Sequence, residues 1–211
     1  MPRGLLVTLL HLLAAPPAIA ALAMTAAPPC AADSFGYGAL IGLQHDSPAV
    51  DDEGQDFGSD GSWKPLAGAL VSWHGAAWGA ETRAYYGQRA FASSAFPTDT
   101  PVRVDFLELG LVAMRGLGSA TGRWTRELFT GPQTGLRLRA RRSFRDVDQD
   151  VTDQFREADL KWVAGFRVGR RAGTSQLFLD GSLAWGLTNL DSTNQQEIHS
   201  RLLSFSIGWR R

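Results

Sequence analysis

Apolar residues recur at every second position in one segment after another of this 211-residue chain. The alternation is clearest in residues 34–44, 160–169, 177–187 and 203–209, and it is weaker in 63–74, 78–89, 102–116 and 127–141. Because successive side chains of a β-strand point to opposite faces, this period predicts eight strands, each with two different faces.

The lengths of the strands and of their connections predict how the sheet closes. Each strand lasts about ten residues, the length of a tilted strand that crosses the hydrocarbon of a membrane. Short turns on one side and long loops on the other are typical of outer-membrane barrels. Here short connections near 74–77, 117–126 and 170–175 alternate with long polar ones at 45–62, 90–101, 142–158 and 188–199. We expect an all-β fold, an eight-stranded antiparallel up-and-down transmembrane β-barrel.

The N-terminal segment has the design of an export signal. Arg3 is the only Asp, Glu, Lys or Arg before Asp33, and residues 5–15 (LLVTLLHLLAA) form an apolar core of signal-peptide length. A transmembrane anchor is the alternative, but four prolines interrupt the helix that an anchor needs. The sequence therefore predicts a signal peptide at residues 1–32, cleaved after residue 20 or 32, and a single barrel domain at 33–211. Cleavage at residue 32 would remove Cys30, the one cysteine.

Composition excludes several classes of protein. The chain has 21 basic and 21 acidic side chains, so it lacks the positive excess of a nucleic-acid binder. An apolar fraction of 44% is too high for a disordered tail. A single cysteine excludes an intramolecular disulfide and a multi-cysteine zinc cluster. We expect no nucleic-acid partner, no cofactor and no metal centre.

Charged side chains fall on the strand face opposite the aliphatic stripe. The predicted set is Glu81, Arg83, Glu108, Arg137, Arg139, Lys161, Arg167 and Asp180. If the aliphatic stripe faces lipid, these charges fill the lumen, where opposite signs can pair. The interior of an eight-stranded barrel is only wide enough for side chains, so the pattern predicts a plugged lumen and not an open pore. A soluble sheet with one solvated face is the alternative.

One acidic loop superficially follows a calcium-binding pattern. Asp146, Asp148 and Asp150 alternate, and Glu157 follows at the twelfth position, but Val151 stands where a calcium loop needs glycine. A weak divalent-cation site and a plain solvated loop both remain open interpretations.

The dipeptide His199-Ser200 raises the question of a barrel hydrolase. A nucleophile and its base must lie within hydrogen-bond reach, yet adjacent residues of a strand point to opposite faces. The sequence therefore predicts no catalytic residues.

Several short segments carry a resemblance to a known family. They are residues 104–111 (VDFLELGL), 130–132 (TGP), 158–165 (ADLKWVAG), 179–190 (LDGSLAWGLTNL) and 205–209 (FSIGW). These resemble motifs of the outer membrane protein beta-barrel domain family, the PorT-like and porin-family proteins of eight-stranded OmpA-type architecture. The family pattern departs at Gly110, where proline is usual, and at two arginines that extend past the terminal aromatic residue.

The resemblance implies a location and a route of assembly. It implies insertion into the outer membrane of a Gram-negative bacterium by the barrel assembly machinery, with Phe205, Ile207 and Trp209 as the assembly signal. It supplies no catalytic residues. We therefore expect a monomeric, non-enzymatic barrel surrounded by outer-membrane lipid, with a structural, adhesive or ligand-binding role through its external loops. The alternatives are a lipid-modifying barrel enzyme and a soluble periplasmic, lipocalin-like ligand carrier.

Overall fold

The computed structural model describes residues 34–47, 49–52, 55–56, 62–75, 78–92, 101–117, 122–144, 147–190, 192 and 197–211. The predicted signal peptide and Cys30 lie outside the described residues. Within the described ranges, no helix is long and apolar enough to cross a membrane.

Eight long strands close into an antiparallel barrel. They are β1 (Ser34–Asp46), β4 (Trp63–His74), β5 (Trp78–Ala92), β6 (Pro101–Gly116), β7 (Trp124–Phe144), β9 (Ala158–Ala172), β10 (Ser175–Gly186) and β12 (Arg201–Arg210). Each strand pairs with its neighbours in chain order, and β1 pairs with β12, so no edge remains open. The predicted eight-stranded up-and-down barrel is confirmed.

The connections divide the barrel into two unlike ends. Short turns join β4 to β5, β6 to β7 and β9 to β10, at what we call the short-turn end. In the turn between β9 and β10, Gly173 has a φ of +63°, a conformation that glycine adopts without steric cost. The opposite end, the long-loop end, carries additional elements: β2 (Ala49–Asp52), β3 (Gln55–Asp56), β8 (Val147–Asp150), a 3-10 turn (Thr152–Gln154) and β11 (Glu197–His199).

The outer face of the barrel is apolar. Phe35, Ile41 and Leu179 are between 61% and 81% exposed, and further exposed apolar side chains include Leu43, Val71, Leu111, Leu128, Leu177, Leu183, Phe205 and Ile207. Soluble monomers rarely expose contiguous apolar surface on this scale. The soluble sheet and the lipocalin-like carrier therefore do not fit, because the apolar side chains face outward and the charged side chains face inward.

Inward glycines make room for rings inside the narrow barrel. A Cβ atom on Gly165 would lie 2.3 Å from the ring of Phe129, and one on Gly208 would lie 2.2 Å from the ring of Phe178. A larger side chain at either position would displace the ring, so close packing explains these glycines.

An apolar cluster lies at the long-loop end, and we call it the cap cluster. Its members are Val102, Val104, Phe106, Ala140, Val151, Phe155, Leu190 and Ile198. The first four come from β6 and β7, and the others come from connections that the sequence predicted as polar loops. These loops thus fold back onto the barrel instead of extending freely into solvent.

A β-bulge changes which residues face inward in the part of β7 that lies nearest the long-loop end. Phe106 pairs with Arg137, but the preceding Asp105 pairs with Arg139, so Leu138 is an extra residue. Beyond the bulge, Ala140 is fully buried and Arg139 is exposed. The expectation that Arg139 points into the lumen is therefore wrong, because one inserted residue reverses the alternation.

We expect Leu179→Arg to lower the free energy of unfolding in lipid vesicles by about 2–4 kcal/mol, because a cation would enter hydrocarbon. Urea titrations of the purified barrel measure this. Gln149→Arg, on the exposed β8, is the matched control and should change stability by less than about 0.5 kcal/mol. Equal effects of the two substitutions would contradict a lipid-facing Leu179.

Candidate functional site: the ionic lumen

The lumen holds one ion network toward the short-turn end. We call it the short-turn network; it comprises Glu81, Arg83, Glu127, Arg167, Asp180 and Arg210. Strand alternation positions them, since every one lies on the inward face of its strand and is buried. Three arginines face three carboxylates, so the formal charges cancel.

Arg167 is the centre of the short-turn network. Its Nη1 and Nη2 donate to the two carboxylate oxygens of Glu81 at 2.7 and 2.9 Å. Its Nε and Nη2 donate to the two oxygens of Asp180 at 2.6 and 2.9 Å. One guanidinium therefore bridges two carboxylates in bidentate geometry, the strongest form of side-chain ion pair. Arg83 adds a 2.6 Å bond from its Nε to Glu81.

A second ion network lies closer to the long-loop end. We call it the long-loop network; it comprises Arg89, Glu108, Asp159 and Lys161, each 0% exposed. Arg89 donates to Glu108 and, at 2.6 Å, to Asp159. Lys161 donates to Glu108 at 2.6 Å and lies 3.3 Å from Asp159. Each cation thus contacts both anions, and the charges again cancel.

Neutral polar groups complete the long-loop network. Gln133 donates to Glu108 at 3.1 Å and to the hydroxyl of Tyr85 at 2.7 Å. Ser200 donates to Asp159 at 2.8 Å and accepts a bond from Arg89 at 2.8 Å. A buried charge is tolerated only when it is paired and hydrogen-bonded. These groups supply most of the required bonds, and the Nε of Arg89 is left without a hydrogen-bond partner among the described residues.

Aromatic rings pack against the arginines of both networks. The guanidinium carbon of Arg89 lies 3.9 Å from the ring centroid of Phe106, and that of Arg167 lies 3.9 Å from Phe178. Arg83 lies 4.1 Å from the ring centroid of Phe129. Cations stacked on rings in a desolvated interior are held by cation–π attraction as well as by their ion pairs.

The structure brings six of the eight predicted lumen residues into the two networks: Glu81, Arg83, Glu108, Lys161, Arg167 and Asp180. Arg137 lies elsewhere, because it donates to the backbone carbonyl of Thr152 beneath the loops. Arg139 is exposed for the reason given above. The prediction omitted Arg89, Glu127, Asp159 and Arg210, all of which belong to the networks.

The omitted residues carried a signal in the sequence. Arg89 continues the inward row that begins at Glu81 and Arg83, and Asp159 stands two positions before Lys161. Extending the period of two to the strand ends would have included both. By its position Arg210 is an extension beyond the terminal aromatic residue, whereas in the structure its side chain turns inward and bonds to Glu127 at 2.5 Å.

A cavity of about 630 Å³ opens at the short-turn end, and its lining includes Glu127 and the buried Arg210. Arg167 and Asp180 do not line it within the described residues. The cavity is therefore a vestibule that stops at the ion pair between Arg210 and Glu127. It is not a continuous pore.

The residues of the predicted cation loop do not converge. Asp146 lies outside the described residues, while Asp148, Asp150 and Glu157 are exposed. In the part of the chain that the structure describes, no three acidic, histidine or cysteine side chains form a metal-binding group. Hydrogen bonds from Thr152 instead hold the pKa of the Asp150 carboxyl below its usual range, so this carboxylate stays ionised at neutral pH.

The His199-Ser200 pair is not arranged as a nucleophile with its base. Ser200 is fully buried in the long-loop network, bonded to Arg89 and Asp159. His199 belongs to β11, where it pairs with Ala49 of β2. Because the serine hydroxyl donates to an ion-paired carboxylate and is shielded from solvent, the geometry favours a structural role.

The predicted assembly signal lies on the lipid-facing surface. Phe205, Ile207 and Trp209 are 52%, 43% and 40% exposed, and they alternate with the inward residues of β12. Recognition of these three side chains by the barrel assembly machinery stays a prediction.

Comparison with protein families places the chain in a class. The model of the outer membrane protein beta-barrel domain family matches residues 54–192, more than half of the chain. The chain belongs to this family and is an outer-membrane β-barrel protein. No curated protein matches it.

Three solved structures resemble this chain at low sequence identity. Ail of Yersinia pestis, solved with the heparin analogue sucrose octasulfate, has 12% identity and a TM-score of 0.45, covering 84% of this chain and 99% of that one. OprG of Pseudomonas aeruginosa has 10% identity and a TM-score of 0.49, covering 85% and 97%. The translocator domain of the autotransporter NalP from Neisseria meningitidis has 11% identity and a TM-score of 0.31, covering 92% of each chain.

We expect Arg167→Met to lower the free energy of unfolding in vesicles by about 3–5 kcal/mol, because Glu81 and Asp180 would lose their shared cation while buried. Adding Glu81→Gln should recover part of this loss, since Arg167→Met leaves three carboxylates facing two arginines and the second substitution removes the excess negative charge. A double-mutant cycle in urea measures the coupling. Strictly additive losses would contradict the ion pair.

Proposed function

We propose that this protein is a closed outer-membrane barrel that acts through the surface of its long-loop end, as an adhesive or ligand-binding protein. The observation that carries the proposal is the filled interior: two paired ion networks lie below an apolar cap cluster. A lumen occupied by its own side chains offers no path for a solute, so the external surface is left to carry the function.

Hydrogen bonds hold the described parts of two external connections in place, which suits recognition. The backbone N–H of Leu190 donates to Ile198 at 2.9 Å, and that of Arg156 donates to Leu190 at 2.9 Å. Thr152 also bonds through its hydroxyl to the backbone of Ala140. The connection after β7 and the connection after β10 are therefore tied to each other and to the barrel. A surface ordered before binding loses less conformational entropy when a partner arrives.

Electrical recordings test the closed lumen. We expect purified protein in planar lipid bilayers to give no stable conductance steps above the protein-free membrane, because charged side chains and rings fill the interior. Large, long-lived steps in most insertions would contradict the closed barrel and favour transport.

Substitution beneath the cap tests the recognition role. We expect cells that display the wild-type protein to attach to cultured cell monolayers more than cells carrying an empty vector. Phe155→Ser should remove most of this gain, because Phe155 is 7% exposed and anchors the loops in the cap cluster.

The neighbouring Gln154→Ser is the matched control, since Gln154 is exposed. It should attach like wild type, and heat-modifiable gel mobility should show that both variants remain folded. If cells with the wild-type protein attach no better than cells with the empty vector, the adhesive role is overturned. If the two variants attach equally well, the cap cluster does not contribute to attachment.

A further inference from the structure

Three arginines occupy outward-facing positions of the strands at the short-turn end of the barrel, and two of them, Arg115 and Arg126, also border the vestibule. Arg115 of β6, Arg126 of β7 and Arg170 of β9 each lie within two residues of that end of their strand. All three share the outward face with lipid-facing residues: Arg126 stands two positions from the exposed Leu128, and Arg170 stands two positions from Val168. The three strands are adjacent, because β7 pairs with β6 and with β9.

Tryptophans frame these arginines. Trp78 pairs across strands with Arg115, and the guanidinium carbon of Arg115 lies 5.2 Å from the indole centroid. Trp124, 62% exposed, pairs with Arg170. Around the wall the order is therefore Trp78, Arg115, Arg126 with Trp124, and Arg170. Tryptophans mark the level at which lipid headgroups meet hydrocarbon, so the arginines lie at headgroup depth.

The charge of this surface has one sign. The nearest acidic side chains in the described strand ends, Glu81 and Glu127, point into the lumen and are paired there with Arg167 and Arg210. Within the described ranges, no acidic side chain shares the outer face at this end. Three further exposed arginines, at 123, 171 and 211, lie at the same end of the barrel.

We propose that Arg115, Arg126 and Arg170, framed by Trp78 and Trp124, form a binding site for the phosphate of an anionic phospholipid in the leaflet at the short-turn end. Guanidinium groups match phosphate oxygens with paired hydrogen bonds. The acyl chains of the same lipid would lie along the apolar outer face, on the side toward the long-loop end. Since short turns face the periplasm in outer-membrane barrels, the lipid belongs to the inner leaflet.

Native mass spectrometry of the barrel released from nanodiscs tests the site. With phosphatidylglycerol as the minor lipid in phosphatidylcholine, the wild-type protein should retain phosphatidylglycerol with an enrichment on the order of tenfold. The triple variant R115Q/R126Q/R170Q should lose most of that enrichment. A variant with lysine at the same three positions should keep part of it, because the charge remains but the paired geometry is lost.

The matched control removes three exposed arginines from the other end of the barrel. R103Q/R139Q/R201Q changes the net charge equally and should retain phosphatidylglycerol like wild type. Heat-modifiable mobility verifies that all variants are folded. The proposal would be overturned if the wild-type protein showed no enrichment of phosphatidylglycerol. It would also be overturned if both glutamine variants lost this enrichment equally. Inorganic phosphate at millimolar concentration should not release the lipid; release would show that the site binds free phosphate and would overturn the lipid assignment.

Discussion

Pairing of buried charges is the interaction on which the rest of this barrel depends. The outer wall faces hydrocarbon, so most charged side chains in the middle of the barrel point inward, where an isolated charge would be too costly. Arg167 resolves this by bridging Glu81 and Asp180, and Arg89 and Lys161 do the same for Glu108 and Asp159. Each network contains residues from several strands. Its ion pairs therefore neutralise the buried charges and also fix the register of these strands.

A filled lumen divides the protein into two working surfaces. At the long-loop end, the cap cluster packs the described parts of the connections after β7 and β10 against the barrel. At the short-turn end, a vestibule stops at the Arg210–Glu127 pair, and the proposed lipid site lies on the neighbouring outer wall. Neither the proposed recognition role nor the proposed lipid site requires passage through the barrel.

The barrel itself could be predicted from the sequence, because alternation reports strand faces directly and connection lengths report topology. Most lumen charges followed from the same rule. Arg139 did not, since a bulge at Leu138 reverses the alternation and nothing in the local sequence marks it. The cap cluster also escaped prediction: Val151, Phe155, Leu190 and Ile198 are isolated apolar residues in polar stretches. Only the folded chain shows that they meet.

The central claim is that the outer wall faces lipid while the inner wall is closed around paired charges. Spin labels on the adjacent residues Phe205 and Ser206 of β12 test it most directly, because they point to opposite faces of one strand. In vesicles, the label at Phe205 should collide freely with oxygen and scarcely with a water-soluble nickel complex, and the label at Ser206 should be shielded from both. Free access of the nickel complex to Ser206, or the same lipid-like response at both positions, would contradict the account.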